Sequence, residues 1–414
     1  MTIRSSMHEM GGLLLEKLVN ADGGGYRGSQ IDCGWGHQAQ FVEYRSKEVS
    51  TVLSTVDVSR AYYHCETCGS GVIPKDKELD IVDSSFSPGV RRMMGRVGAK
   101  EAFEEGRKDL DELAGVRVTT KSVERVSEHI GQQIEEVLRR ERGLSWSGKL
   151  VALASVVPKM YIAIDGTGVP VLPRETAGRK GKGKSQVAKT REAKLGCVFT
   201  QTSVDAKGWP VRDEGSTTYV GAIETAKQFG RRIYAEAIRR GMQRAEEVVV
   251  IGDGAPWIWG IAEDHFAGAV HIVDLYHARE YLYTLGKLIY GVGSVRCKEW
   301  VAARREELDA GDIDTLIASM ERLRPRNKEK KEEVIKTIGY FKNNAQRMDY
   351  AKYRSQGLFV GSGVMEAGCK TIITQRLKQS GMRWTVRGAN DIIALRCCQL
   401  SGRWEEFWEN RAVG

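Results

Sequence analysis

Met160-Tyr-Ile-Ala-Ile-Asp165-Gly166 is the stretch on which the fold turns. Met160–Ile164 is an uninterrupted apolar run and reads as a buried strand that ends on an acid and a glycine. The pattern repeats downstream. Glu247-Val-Val-Val-Ile251 is strongly β-favouring and ends in Gly252-Asp253-Gly254, and Gly268-Ala-Val-His-Ile-Val-Asp274 is another buried strand closing on Asp. A further strand is expected around Leu195–Gln201 and a helix over Ala222–Arg240. Strands alternating with helices make this region α/β. Residues 275–354 read as helix throughout, with Lys328–Glu333 a solvated charged face. The α/β pattern resumes at Phe359-Val-Gly-Ser-Gly363, followed by a helix carrying Glu366.

An Asp at the end of a buried strand needs hydrogen bonds, a cation or a metal, because an isolated buried charge is costly. Strand ends of α/β sheets are also where ligands collect. One Asp-Gly alone is most simply a turn. Two of them, at 165–166 and 253–254, together with Glu366 point to a hard, all-oxygen site suited to two Mg²⁺ or Mn²⁺ ions. Two such ions about 4 Å apart serve phosphoryl transfer. The chain has no P-loop, no G-x-S-x-G and no H-E-x-x-H, and Gly23–Gly25 reads as loop.

The 414 residues include 63 Lys plus Arg against 54 Asp plus Glu, a net charge of +9, with 41% hydrophobic and 28% charged. That balance excludes wholesale disorder. No apolar run approaches the roughly 18 residues needed to span a membrane. The N-terminal stretch, with acids at Glu9 and Glu16, reads as an amphipathic helix rather than a leader, so a cytoplasmic protein is expected. The excess charge is focused. Residues 174–194 hold eight basic and two acidic side chains, and residues 370–396 hold six and one. A focused basic patch points to nucleic acid, the plain alternative being a solvated face. Lys180, Lys182 and Lys184 form a Gly/Lys loop after Asp165, able to clamp phosphates or simply to lie on the surface. Lys370, Arg376, Lys378, Arg383 and Arg387 follow Glu366. Trp384 suits base stacking or a core role; Trp257 and Trp259 suit core packing.

Near the N-terminus, Cys33-Gly-Trp-Gly-His37 precedes Cys65-Glu-Thr-Cys68. C-x2-C is one half of a zinc ribbon, and Cys33 with His37 would complete a tetrahedral structural zinc site. The alternative is a pair of reduced surface thiols. His64 is a competing ligand, but as the strand neighbour of Cys65 it faces the other way. β segments are expected at Gln40–Tyr44, Ser50–Thr55 and Val56–Tyr63. Helices should start at Ser87-Pro88-Gly89, run over Lys100–Leu113, and run over Thr120–Arg142 with Thr120 as N-cap. The last two, joined by a Gly turn and exposing Lys121 and Arg125, suggest a helix-turn-helix for DNA or merely two packed helices.

These motifs carry a family resemblance. Ile164-Asp-Gly-Thr-Gly, Ile251-Gly-Asp-Gly-Ala-Pro-Trp-Ile-Trp, Asp274-Leu-Tyr-His277 and Gly361-Ser-Gly-Val-Met-Glu366 resemble the DDE transposases of bacterial insertion sequences. The likeness is to the Kra-type group, similar to the Mutator-like branch of the retroviral-integrase superfamily. Arg60–Cys68 and Arg376–Trp384 also look like that group, so the resemblance covers nearly the whole chain. It implies an RNase H-like core split by a helical insertion, with Asp165, Asp253 and Glu366 as the catalytic, metal-holding triad. Asp274, the rival for the second position, and His277 match an accessory D-x-x-H element. The implied organisation is a helix and zinc-ribbon-like segment over 1–80 and a helix-turn-helix-like region over 81–150. The core follows over 159–274, the insertion over 275–354, and the Glu-bearing helix with basic C-terminal helices over 355–414. The resemblance further implies double-stranded DNA as partner, a homodimer or larger assembly on DNA, and a nucleoid-associated bacterial location. A domesticated, non-catalytic DNA-binding regulator and a structure-specific nuclease on the same core are the rival expectations.

Overall fold

The computed structural model describes residues 3–151, 157–181 and 187–411. The chain divides into one unit made of residues 1–134 with 403–414, and a second made of residues 135–402.

The first unit opens with α1 (Ile3–Asn20), followed by β1 (Gln30–Asp32), β2 (Gln38–Ser50), β3 (Thr55–His64) and β4 (Gly71–Val72). These strands form an antiparallel sheet in the order β1-β2-β3-β4. Of Ser50–Thr55, expected as strand, residues 51–54 instead form the turn of the β2–β3 hairpin, with Ser50 and Thr55 its closing pair. The Thr51 hydroxyl accepts the Leu53 and Ser54 amides and so closes the chain on itself. Leu15 and Val19 of α1 pack on Val49, Val56, Val58 and Ile81. Next come α2 (Pro74–Glu78), α3 (Pro88–Lys100), α4 (Phe103–Ala114) and α5 (Thr120–Trp146), whose residues from 135 onward belong to the second unit. Val90, Met94, Leu110, Val116 and Val123 close the core between α3, α4 and the start of α5. Lys100 therefore ends one helix rather than starting the next. The cap of α5 is Thr119, not Thr120: the Thr119 hydroxyl accepts the Ser122 amide at 3.0 Å. Gly115 ends α4 at φ +70°, a left-handed conformation that glycine adopts without a Cβ clash.

The second unit is built on a five-stranded mixed sheet. Its strands are β5 (Val157–Pro170), β6 (Thr190–Gln201), β9 (Thr218–Ala222), β10 (Ala245–Gly252) and β11 (Val270–Val273), with β7 (Ser203–Val204) and β8 (Pro210–Val211) forming a separate ribbon. The sheet order is β11-β10-β5-β6-β9. β6 runs antiparallel to both β5 and β9, whereas β10 and β11 run parallel to β5. β9 ends on Ala222, the residue at which the helix was expected to start. The helix α6 (Ala226–Arg239) starts four residues after β9 ends, at a capping box of Thr225 and Gln228. After α7 (Pro256–His265) and β11 come five helices: α8 (Leu275–Tyr290), α9 (Val295–Ala310), α10 (Ile313–Glu321), α11 (Lys328–Asn344) and α12 (Tyr350–Ser355). This matches the all-helical reading of 275–354. α13 (Gly363–Gly368) runs into a π-helical turn at Cys369–Thr374, then α14 (Gln375–Leu377) and α15 (Val386–Leu400). α16 (Trp404–Glu409) belongs to the first unit, where Trp404 lies against Gly95 of α3. No helix among the described residues is long and apolar enough to cross a membrane.

Candidate active site and candidate metal centre

Strand register builds the carboxylate site. Gly252 of β10 pairs with Ile164 of β5 on one side and Val273 of β11 on the other. The next residue on each strand is Asp253, Asp165 and Asp274, so three acids lie at one level where the parallel strands end. Asp165 is half-buried. Its Oδ1 accepts the Gly166 amide at 2.6 Å, and its Oδ2 accepts the Cys369 thiol at 3.3 Å. Burial raises its pKa above the ordinary carboxylate range, and the charge of Asp253 adds to the rise. Burial also pushes the Cys369 thiol up, so it stays protonated and donates. Asp253 Oδ1 accepts the Ala255 amide at 2.8 Å, while the Asp253 carbonyl accepts the Tyr340 hydroxyl at 3.0 Å. At Gly254, φ is +96° and a Cβ would come 2.7 Å from the Tyr340 ring. Only glycine fits there.

Asp274 is buried and fully engaged. Its Oδ1 accepts the Tyr276 and His277 amides at 2.7 and 3.0 Å, capping α8. Its Oδ2 accepts both the amide and the hydroxyl of Ser362, which enters the helix carrying Glu366. This carboxylate braces the backbone. His277 is half-buried, with its Nδ1 3.7 Å from Glu280 and its ring against Tyr281. Tyr281 stacks on Tyr340 with 3.9 Å between ring centroids.

Glu366 lies on α13, which packs against β5 and β6, but its side chain is exposed. Among the described residues, one group of three or more His, Cys, Asp or Glu side chains has all its ligand atoms within 4.8 Å, and it is Cys33, His37, Cys65 and Cys68. Asp165, Asp253 and Glu366 do not form such a group. The contact that brings the Glu366 helix to Asp165 is Cys369, one helical turn beyond. Cys369 passes for an ordinary thiol in the sequence, yet its spacing from Glu366 is the signal that would have found it.

The expected DNA-binding residues divide. Lys180, Lys370, Arg383 and Arg387 are exposed. Lys182 and Lys184 lie outside the described residues. Lys378 is half-buried and donates to the Thr167 hydroxyl at 2.6 Å, two residues past Asp165. Arg376 is a correction, and Trp384 takes the core role that was its alternative. Arg376 is fully buried, its guanidinium 5.1 Å from the Trp384 ring centroid. The Trp384 indole donates to the Leu377 carbonyl, and its backbone pairs with Pro170 and Leu172, fastening this loop to the end of β5. Both side chains are interior because each satisfies the other's packing. Trp259 is buried as expected, donating to Asn344. Trp257 is half-buried, beside Gly166 and under the Lys194 ammonium at 4.9 Å.

In the first unit, two tight turns meet. Cys33 and His37 lie on the β1–β2 turn, closed by the Cys33 amide donating to the His37 carbonyl; Cys65 and Cys68 lie on the β3–β4 turn, closed by Gly69 to Cys65. Cys33 and Cys68 sulfurs are 3.7 Å apart. The His37 Nδ1 is buried with no hydrogen-bond partner. The Ser70 hydroxyl, then His37, draws the Cys68 thiol down to about 6, so it is a thiolate at neutral pH, the form that binds metal. Three thiols and an imidazole at this spacing could hold a metal, and the donor set suits zinc. His64 stands apart, near the Tyr62 hydroxyl.

No protein-family model matches the chain. Among solved structures it aligns with one titled "Drosophila P element transposase strand transfer complex". That alignment has 11% identity and a TM-score of 0.26, covering 77% of this chain and 80% of that one. At that score it carries no argument about the fold. Among curated proteins, the chain is similar to the "UPF0236 protein in vanSb 3'region" of Streptococcus gallolyticus, 21% identical over 354 residues, 82% of this chain and 69% of that protein.

Proposed function

We propose that this chain is a DDE-type DNA transposase of the insertion-sequence kind, which binds transposon ends and catalyses metal-dependent DNA cleavage and strand transfer. The observation that carries the reading is the level placement of Asp165 and Asp253 at adjacent strand ends, with the Glu366 helix joined to Asp165 through Cys369. The sheet order, with three antiparallel strands followed by two parallel ones around a central β5, supports an RNase H-like core. The all-helical insertion of 275–354 before Glu366 supports it too.

Asp165, Asp253 and Glu366 would hold Mg²⁺ or Mn²⁺, for which their oxygen donors are suited. When bound, such ions activate a water or 3′-hydroxyl and stabilise the leaving oxygen. Glu366, exposed on α13, would have to turn inward to complete the set. Asp274 fixes the loop from which Glu366 projects, and His277 stands beside it as an accessory. Lys180, Lys370, Lys378, Arg383 and Arg387 would hold phosphates in register. The Cys/His centre would carry zinc and, with the α4–α5 region, recognise the ends. Two ends must be held together, hence a dimer or larger assembly on DNA, in the bacterial nucleoid.

The exposure of Glu366 favours a second reading, a non-catalytic DNA-binding regulator. Duplexes carrying the termini that flank the gene, incubated with Mg²⁺ and a plasmid target, separate the two. Strand transfer abolished by Asp165→Asn supports the transposase. Binding without cleavage leaves the regulator, and cleavage without joining a nuclease.

A further inference from the structure

Helix α1 carries two apolar faces, and only one of them is used. Gly12, Leu15 and Val19 face the β2–β3 hairpin. Polar side chains at both ends fix that orientation. The Arg4 guanidinium donates to the Glu112 and Leu113 carbonyls at the end of α4. Glu16 accepts the Asp57 amide, and Asn20 bonds to both Asp57 and Ser59. The opposite face is therefore held outward. It carries Ile3, Met7, Met10 and Leu14, flanked by Leu13 and Leu18, and each is between 59% and 86% exposed.

The intervals from Ile3 to Leu14 are four, three and four residues, the seam spacing of paired helices. At roughly 120 Å² of exposed surface apiece, the six side chains present about 700 Å², more than the roughly 300–600 Å² of the largest patch on a typical monomer. Two such patches meeting face to face come to about 1,400 Å², within the roughly 1,200–2,000 Å² that stable interfaces bury.

We infer that α1 pairs with α1 of a second copy of this chain, antiparallel across a two-fold axis near Met10. The patch is self-complementary, as such an axis requires. Lys17 fixes the direction, because it sits at the next seam position after Leu14. In a parallel pair it would face its own copy; in the antiparallel pair it faces the Ile3 end. This pairing needs no DNA and stands independently of the proposed activity.

The test is sedimentation of the full chain, without DNA, from about 0.1 to 50 µM by analytical ultracentrifugation, where micromolar pairing is resolved. The unsubstituted chain should be a dimer at the upper end. Met10→Glu with Leu14→Glu should raise the dissociation constant at least 100-fold with circular dichroism unchanged, since both side chains are exposed. Ile3→Lys should weaken the dimer by a factor of ten or more, and adding Lys17→Glu to the same chain should restore it. A parallel pair would show no such rescue, which would overturn the direction. An unsubstituted chain that is monomeric at 50 µM overturns the proposal. So does a monomer that co-floats with phosphatidylcholine–phosphatidylglycerol vesicles through Met10 and Leu14, which would assign the face to lipid.

Discussion

Asp274 accepts four hydrogen bonds, two from the start of α8 and two from Ser362, and an amide cannot replace it. Asp274→Asn turns an NH₂ toward donors on one side, and a loss of about 1–3 kcal/mol is expected in urea denaturation. Under the proposed function its strand-transfer defect should be milder than that of Asp165→Asn. Equal lethality of Asp274→Asn beside an active Asp253→Asn would move the second catalytic position to Asp274. Cys369→Ala leaves the half-buried Asp165 Oδ2 without its thiol donor and should cost about 1–3 kcal/mol, whereas Cys369→Ser keeps a donor and should cost less. The strand-end placement of Asp165 and Asp253 was legible because apolar runs ended on them. Arg376 was misread, and Trp384 left open between stacking and core, because a basic or aromatic residue after Glu366 looks the same in sequence whether it meets solvent or its neighbour. Only packing separates the two cases.

Arg232 of α6 is buried and bonds both Glu224 and Glu135, the latter on α5. Arg232→Met would leave two carboxylates facing an apolar side chain. The expected loss is about 3 kcal/mol, the low end for a broken buried pair because Glu135 is about one-third exposed. Burial by itself would raise the Glu135 pKa, but the Arg232 hydrogen bonds and charge, then Arg142, hold it below the usual 4.5. A depressed carboxylate pKa stabilises the fold above the unfolded value and loses that contribution as pH falls through the folded one. The second unit should therefore lose stability below about pH 4.5, and Arg232→Met should flatten that dependence in pH-dependent thermal melts. In the first unit, the knuckle spacing made the Cys/His centre readable. Elemental analysis of the purified chain should give about one zinc per chain, lost in Cys65→Ser. The turn at 51–54 was not readable, since Thr and Val favour strands wherever a side-chain hydrogen bond does not intervene.

Across the whole molecule, the net charge of +9 is concentrated in two stretches, whose exposed basic side chains among the described residues include Lys180, Lys370, Arg383 and Arg387. If these neutralise phosphates, Arg383→Ala and Arg387→Ala should each lower the salt slope of DNA binding by about 1, while Arg376→Ala should act through folding instead. The helical stretch from 275 to 354 was plain in sequence because it contains almost no strand pattern. The short β9 and the membership of α16 in the first unit were not, since long-range pairing leaves no local trace. That membership bears on biosynthesis. Trp404 lies against Gly95, so the unit that leaves the ribosome first lacks a core residue until some 270 further residues, about 135 to 404, have been made. At about 5–20 residues per second, that interval is tens of seconds. The unit that begins first thus closes only after residues 135–402 have been made, and a fragment of residues 1–134 should be captured by chaperones rather than fold to its final core.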